Sequence, residues 1–408
     1  MPPGTYSRSM EATQNRRTLP AGLALAGTAV AFTSLYLAAG SLTPLLVVYR
    51  TAWKFPPSML TLAFAAYAIG FLIAVLTLGS LSDHIGRRPV LIAALVVQLA
   101  SNLLFLVAPD IGWVVAGRIV QGIASGAATS AFTAAMVELA PERKKRLGTI
   151  LGSVSLTGGL AAGSLLAGLA IQFTPAANAI IFIALIVLTI VGGIVVVFSP
   201  ETMRRSPGAL RSIIPRVSIP PAARREFAAA APVVAAVWML AGLSGGIAPS
   251  RVRSVFHLDS GLLDGLAGFV APAVSAIIGL SFARVAPRRA MTIGTYSSIV
   301  GALGIIGGVF AGSLAVMIIG QAVAGVGFGA CFTAALRLLF PLALAHQRAG
   351  VVAAIYVVSY VAFGLPIVIE GQLVGPLGQI PAVVWYTALT ILFALISLIA
   401  QARLKRRA

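Results

Sequence analysis

Twelve apolar stretches, each long enough to cross a bilayer and each closed by a short polar or basic interval, constrain this chain more than any other feature. They run over 21–49, 57–81, 89–108, 112–139, 148–173, 177–198, 227–248, 261–283, 290–311, 314–339, 350–374 and 381–401. About 20 apolar residues in a helix match the hydrocarbon thickness of a membrane. Hydrocarbon offers no partner to a free N–H or C=O, so such segments are helices rather than open strands. Of the 408 residues, 59% are apolar and 10% charged, with a mean hydropathy of +1.00. A soluble domain carries about 25% charged residues. This balance excludes a cytosolic enzyme, a secreted disulfide scaffold and a disordered regulator. Cys331 is the only cysteine, so no intrachain disulfide forms.

The formal net charge is +19. The basic residues fall in short clusters between apolar runs, which points to membrane topology rather than to nucleic acid. Alternating sides from an inside N-terminus places Arg8, Arg16, Arg17, Arg87, Arg88, the run Arg143-Lys144-Lys145-Arg146, Arg204, Arg205, Arg288 and the C-terminal basic residues on one face. Only Arg50, Lys54, Arg251 and Arg253 fall opposite, and Arg118 lies inside a span. The positive face is expected to be cytoplasmic, with both termini there and the chain in the plasma or inner membrane. The first apolar run is too long for a signal h-region and is expected to stay as a span. The interval 199–226 carries Pro200, Pro207, Pro215, Pro220 and Pro221 with six arginines and reads as a linker held at the anionic leaflet. The expected organisation is a tail (1–20), six helices (21–198), the linker (199–226), six more helices (227–401) and a basic tail (402–408).

The two sets of six resemble each other. Gly117, Gly122 and Gly126 in the fourth span recur as Gly320, Gly325 and Gly329 in the tenth, at one constant offset. Gly79 and Arg88 likewise map onto Gly279 and Arg288. Duplicated halves around a midplane site are a transporter architecture. Small residues let helices approach closely where lipid supplies little hydrophobic drive.

After the second span comes Gly79-Ser-Leu-Ser-Asp83-His84-Ile-Gly86-Arg87-Arg88-Pro. It resembles the signature loop of the major facilitator superfamily, Gly-x-Leu-x-Asp-Arg-x-Gly-Arg-Arg, with His84 in place of an arginine. Physically, Gly79 permits a close helix contact, Gly86 a tight turn, and Asp83 a charge-assisted latch among arginines. The alternative is that Arg87 and Arg88 only anchor topology. The second half has Ala283 where Asp83 would recur, so the latch is expected on one side only. Gly117-Arg118-Ile-Val-Gln121-Gly122 resembles the family's Arg-x-x-x-Gly motif. Arg118 lies roughly 9 Å inside the outer boundary, where a cation is costly and faces a polar interior or snorkels to the interface. Thr157-Gly-Gly159-Leu-Ala-Ala-Gly163-Ser164-Leu-Leu-Ala167-Gly168 resembles the efflux signature of the family, with Ser164 replacing its proline and Ala167 a glycine. Gly159 and Gly163 also read simply as packing residues. Pro200-Glu201-Thr202 resembles the element closing the sixth helix, with Glu201 near the arginines of the signature loop.

The resemblance implies an all-α integral membrane protein: twelve transmembrane helices in two pseudo-symmetric six-helix bundles, with alternating access to a central cavity. Ten acidic residues exist. Glu138 ends the fourth span, Glu226 is interfacial, and Asp264 is expected near the outer interface. Glu370 lies deep in the eleventh span, near Pro366, as a lone carboxyl. Burial disfavours its charged form, which suits it to carry or gate a proton, with Arg118 tuning its own half; a structural, protonated glutamate is the alternative. Candidate cavity residues are Tyr36, Tyr67, Gln121, Trp238, Gln321, Phe332, Tyr356 and Tyr360, since aromatic and amide groups suit organic ligands. The first span lacks an acid, which argues against broad cationic drug binding. His84, His257 and His346 fall in separate loops, and neither a metal spacing nor a phosphate loop occurs, so an enzyme, a cofactor and a metal are not expected. The expected activity is proton-coupled efflux of a small organic solute by a monomer. Proton-coupled uptake of a sugar or organic acid is the alternative, and a channel or membrane receptor is the alternative outside carriers. The expected partners are solute, proton and lipid, without nucleic acid.

Overall fold

The computed structural model describes residues 18–344 and 347–407; Arg8, Glu11, Arg16, Arg17 and His346 lie outside the described residues. Among the described residues no strand occurs and twelve helices are long and apolar enough to cross a membrane. They are α1 (Ala21–Trp53), α2 (Pro57–Leu78), α3 (Arg87–Leu106), α4 (Ile111–Leu139), α5 (Glu142–Phe173), α6 (Ala177–Phe198), α7 (Pro221–Ser254), α8 (Gly261–Arg284), α9 (Pro287–Phe310), α10 (Leu314–Leu342), α11 (Arg348–Leu377) and α12 (Gln379–Leu404). The twelve expected spans are all present. Several run on further than their apolar stretches, α1 and α7 among them. α1 continues past Arg50 until Lys54 takes a left-handed conformation. α7 passes Gly245 and Gly246 through a π turn at Leu243–Ile247. Pro249 has no N–H to give the carbonyl four residues back, and the wider turn absorbs that mismatch while carrying Arg251 and Arg253 onto the helix.

The packing repeats with a shift of six helices. α1 lies against α4, α5 and α6, as α7 lies against α10, α11 and α12. α2 lies against α4, as α8 against α10, and α3 contacts α4 and α6, as α9 contacts α10 and α12. The bundles meet along two seams, α5 with α8 and α2 with α11. The shift that takes α2 to α8 also takes α5 to α11, so one seam is the pseudo-symmetric image of the other.

Glycines set the distances. A Cβ on Gly122 would stand 2.3 Å from the Tyr67 carbonyl oxygen, and one on Gly126 would stand 2.4 Å from that of Phe71. In the second half a Cβ on Gly325 would meet the Ala271 oxygen at 2.5 Å, and one on Gly329 the Ser275 oxygen at 2.6 Å. The repeated glycines therefore occupy matching crossings, α2–α4 and α8–α10. On α5, Gly159 and Gly163 face α1, whereas Gly168 faces Gly265 of α8 across the seam. Ser164, where the efflux signature has proline, donates its hydroxyl to the Gly265 carbonyl at 3.0 Å.

Large apolar side chains stay exposed on α3, α6, α9 and α12, among them Val96, Ile183, Val187, Ile194, Val300, Leu303, Leu392 and Ile399. On a soluble protein such a surface would be an interaction patch; around these four peripheral helices it is the lipid belt. Gly163→Leu is expected to destabilise the fold by about 1–3 kcal/mol or prevent assembly, because its Cβ would lie 2.1 Å from the Leu37 oxygen. Gly193→Leu, with nothing within 4 Å of its Cβ, is expected to leave the melting temperature in detergent unchanged.

Candidate functional site

Polar chemistry concentrates at three levels between the basic face and the opposite face. At the basic face, Gly86 turns the chain with φ 102° and Arg87 begins α3. Arg87 bonds Ser82 Oγ at 2.8 Å, the Asp83 carboxylate, and Glu138 Oε1 at 3.0 Å through Nη2. Glu138 also accepts from Thr202 Oγ1 at 2.5 Å. Glu201 accepts the backbone N–H groups of Arg87 (2.8 Å) and Arg88 (3.1 Å), so it caps the exposed start of α3 rather than pairing with their guanidinium groups. A Cβ at Gly86 would lie 2.7 Å from Glu201 Oε2. Ser130 of α4 donates to the Gly79 carbonyl at 2.5 Å. The six expected latch residues are thus gathered in one place, but their partners belong to the first half and the segment following α6. Glu138, set aside in the sequence as a helix-end residue, is the hub.

The one-sided expectation for this face needs correction. Arg288 makes a two-pronged pair with Glu226 at 2.8 and 2.5 Å. The acid comes from the start of α7 instead of position 283, so aligning the loops alone concealed it.

At the middle level, aromatic rings from both halves form one cluster. Tyr67, Trp238, Phe332, Tyr356 and Tyr360 belong to it, together with Phe64, Phe71, Phe328 and Phe363, which the sequence reading missed. Phe71 stacks on Tyr360 at 4.0 Å across the α2–α11 seam, and Phe64 meets Phe363 at 4.8 Å. The missed rings follow the same helical spacing as the chosen ones: Phe64, Tyr67 and Phe71 share a face, as do Tyr356, Tyr360 and Phe363. Tyr36 bonds Thr129 Oγ1 at 2.7 Å within the first-half core.

Arg118 is 3% exposed. Its Nε donates to the Ala63 carbonyl at 3.2 Å and its Nη1 to Gln121 Oε1 at 2.8 Å. The guanidinium carbon stands 4.5 Å over the Tyr67 ring and 5.4 Å from that of Phe64. It faces the protein interior and does not snorkel. Gln321, its counterpart in the repeat, is fully buried with neither amide atom hydrogen-bonded.

At the opposite face, Glu370 is 1% exposed and is not a lone carboxyl: it is paired with Arg251, delivered by the extension of α7 beyond its π turn. Arg251 Nη1 also donates to Gln379 at 3.1 Å. A cavity of about 20 Å³, room for about one water, is lined by Glu370 and Arg251 from the second half and Arg50 and Thr61 from the first. Asp264, expected at the interface, is instead 0% exposed and paired with Arg253 at 3.0 Å. Both corrections have one cause, the helical continuation that places Arg251 and Arg253 beside α11 and α8. Among the described residues no cluster of His, Cys, Asp and Glu could hold a metal ion.

A family model described as Major Facilitator Superfamily matches residues 24–368. The chain belongs to that family. It is a multi-pass membrane transporter, a carrier and not an enzyme. Among relatives, the triacylglyceride transporter of Mycobacteroides abscessus is 33% identical over 88 residues, 22% of this chain and 17% of that protein. The class C tetracycline resistance protein of Escherichia coli is 33% identical over 112 residues, 26% of this chain and 28% of that protein. The matched segments thus span less than a third of either relative. Solved structures agree over nearly the whole facilitator fold. The POT family transporter PepTSo superposes with a TM-score of 0.75 at 11% identity, covering 96% of this chain and 99% of that one. The human organic anion transporter MFSD10 gives 0.65 at 16% identity, covering 93% and 98%. These likenesses concern the fold.

Arg87→Met is expected to lower stability by about 1 kcal/mol, since Ser82 is buried and loses its donor while Asp83 and Glu138 stay partly open to water. It should also speed tryptic cleavage at Arg204 and Arg205, since Glu138 no longer anchors the start of the segment after α6. Melting temperature and the cleavage time course measure the two effects.

Proposed function

We propose that this facilitator is a proton-coupled carrier that exports a small organic solute, working as a monomer in the plasma or inner membrane with both termini cytoplasmic. The buried Glu370–Arg251 pair carries the reading. It sits where α7 and α11 of one half meet α1 and α2 of the other, so it lies on the seam that alternating access must part. α7 gives Arg251 a movable mount: the π turn at Leu243–Ile247 lies just before it, and Gly246 of that turn packs on Phe64 of α2.

In the closed outer seam the carboxylate holds Arg251 and keeps the arm of α7 docked. Parting the seam draws Arg251 away and exposes Glu370 to the outside, where it takes a proton. Reclosure returns Arg251, whose charge displaces that proton from Glu370 to the basic face, the side then open. The proton released is the one taken up, and no bond to the solute is made or broken. Arg118 stays in its own half and tunes the middle level. The ion cluster around Arg87 latches the basic face, and the midplane rings line the solute's path.

Two observations support the outward direction. The α5 stretch with Gly159, Gly163 and Gly168 is similar to the efflux signature, and the tetracycline resistance protein shares a matched segment. The test is transport in proteoliposomes with tetracycline, ethidium and salicylate as probes. Glu370→Gln should keep solute counterflow, which needs only alternating access, and lose accumulation driven by a pH gradient. Full gradient-driven accumulation in Glu370→Gln would remove Glu370 from the coupling.

A further inference from the structure

Six charged residues among those described are buried: Arg87, Arg118, Glu226, Arg251, Asp264 and Glu370. Five have a partner of opposite charge: Asp83 and Glu138 for Arg87, Arg288 for Glu226, Glu370 and Arg251 for each other, and Arg253 for Asp264. Arg118 has none. Its acceptors are a backbone carbonyl and an amide oxygen, and the faces of Tyr67 and Phe64 offset only part of the charge. An uncompensated cation inside a protein is costly. An ionisable residue inside a membrane-spanning helix marks a functional site by default, and one without a counter-charge in the protein can take it from a ligand.

The surroundings indicate what brings that charge. Arg118 rests on Tyr67 and Phe64, and these continue into Phe363, Phe71, Tyr360 and Trp238 without a break. The indole N–H of Trp238 and both amide atoms of Gln321 are buried and unbonded. The middle level thus offers a fixed cation, spare hydrogen-bonding groups and broad apolar faces. It offers no free acid to a cationic solute, because Glu370 and Asp264 are already taken by Arg251 and Arg253.

We propose that the solute is an organic anion, a carboxylate or comparable oxyanion on a planar aromatic body, with Arg118 as its counter-ion. A carboxylate can take two parallel N–H bonds from the unengaged edge of the guanidinium, while its ring lies among those of the two halves. This rests on the carrier reading above and names its substrate class.

The experiment measures binding by titration calorimetry on the purified full-length protein, so it needs no transport. The probes are salicylate, salicylamide (similar ring, no charge) and ethidium (planar cation). Salicylate should bind saturably, and the other two about tenfold or more weaker, in line with a hydrogen bond to a charged group. Arg118→Met should weaken salicylate by a similar factor, and Arg118→Lys should recover part of the loss. Equal binding of salicylamide, or salicylate affinity unchanged in Arg118→Met, overturns the proposal. A lower melting temperature with unchanged affinity does so as well, assigning Arg118 to structure alone. Counterflow separates the two readings. Salicylate binding without counterflow keeps the anion site and removes the carrier mechanism; counterflow of ethidium without salicylate binding does the reverse.

Discussion

Hydrocarbon returns nothing to a polar group, and each level of this structure answers to that. The backbone closes its bonds within helices. Hydroxyls do likewise: those of Thr33, Thr133, Thr189 and Thr295 each bond the carbonyl one turn back. Buried charges other than Arg118 face an opposite charge. Helix association cannot rely on expelling water, so it rests on contact, and contact on the absence of side chains where axes cross. Gly122 and Gly126 bring α4 onto the backbone of α2, and Gly325 and Gly329 bring α10 onto that of α8. These crossings hold each bundle together as one body, which lets the seams between bundles be the parts that move.

The two seams are built differently although the repeat relates them. Along α5–α8 the contact is backbone to backbone, with Gly168 against Gly265 and the Ser164 hydroxyl on the Gly265 carbonyl. Along α2–α11 rings stack across the gap, and Thr61 abuts Gly371 close to the Glu370–Arg251 pair. Parting that seam separates rings and breaks an ion pair. On the carrier cycle proposed above, parting α2, α7 and α11 is the costly step.

The scaffold was legible because its signals are local. Apolar length gives spans, and a constant glycine offset gives the repeat. The ion pairs were not, because a pair joins residues far apart in the chain. Glu138 and Arg87 are 51 residues apart, Glu226 and Arg288 are 62, and Arg251 and Glu370 are 119. One local misreading compounded this. The stretch Gly245-Gly246-Ile-Ala-Pro249 looks like the end of a helix, since glycine and proline both end helices. The π turn carries the helix through it, so Arg251 is buried and Arg253 half-buried on the helix, where an outer loop was expected. Of the nine midplane rings, five were chosen by type and the other four by nothing. Helical spacing from Tyr67 and Tyr360 would have found Phe64, Phe71 and Phe363.

Duplication explains why the halves can rock, but a perfectly symmetric carrier would have no reason to treat its two faces differently. The asymmetry is written in charge. At equivalent places on α4 and α10 stand Arg118 and Gln321, alike in burial and opposite in what they ask of a ligand. The amide tolerates any polar neighbour, whereas the guanidinium demands an anion. At the basic face both halves use an arginine at the start of a helix, but Arg87 answers to acids of its own loop and α4, and Arg288 to an acid on α7. At the opposite face the titratable pair belongs to the second half alone, with Arg50 of the first beside the same small cavity. Any shift of the proton at Glu370 therefore changes the net charge on one seam without changing the glycine contacts that hold either bundle. On the proposed reading, that separation, a symmetric frame fixed by close packing and a cycle biased by a few charges without a counterpart in the other half, would let substitutions alter the direction of transport and leave the fold intact.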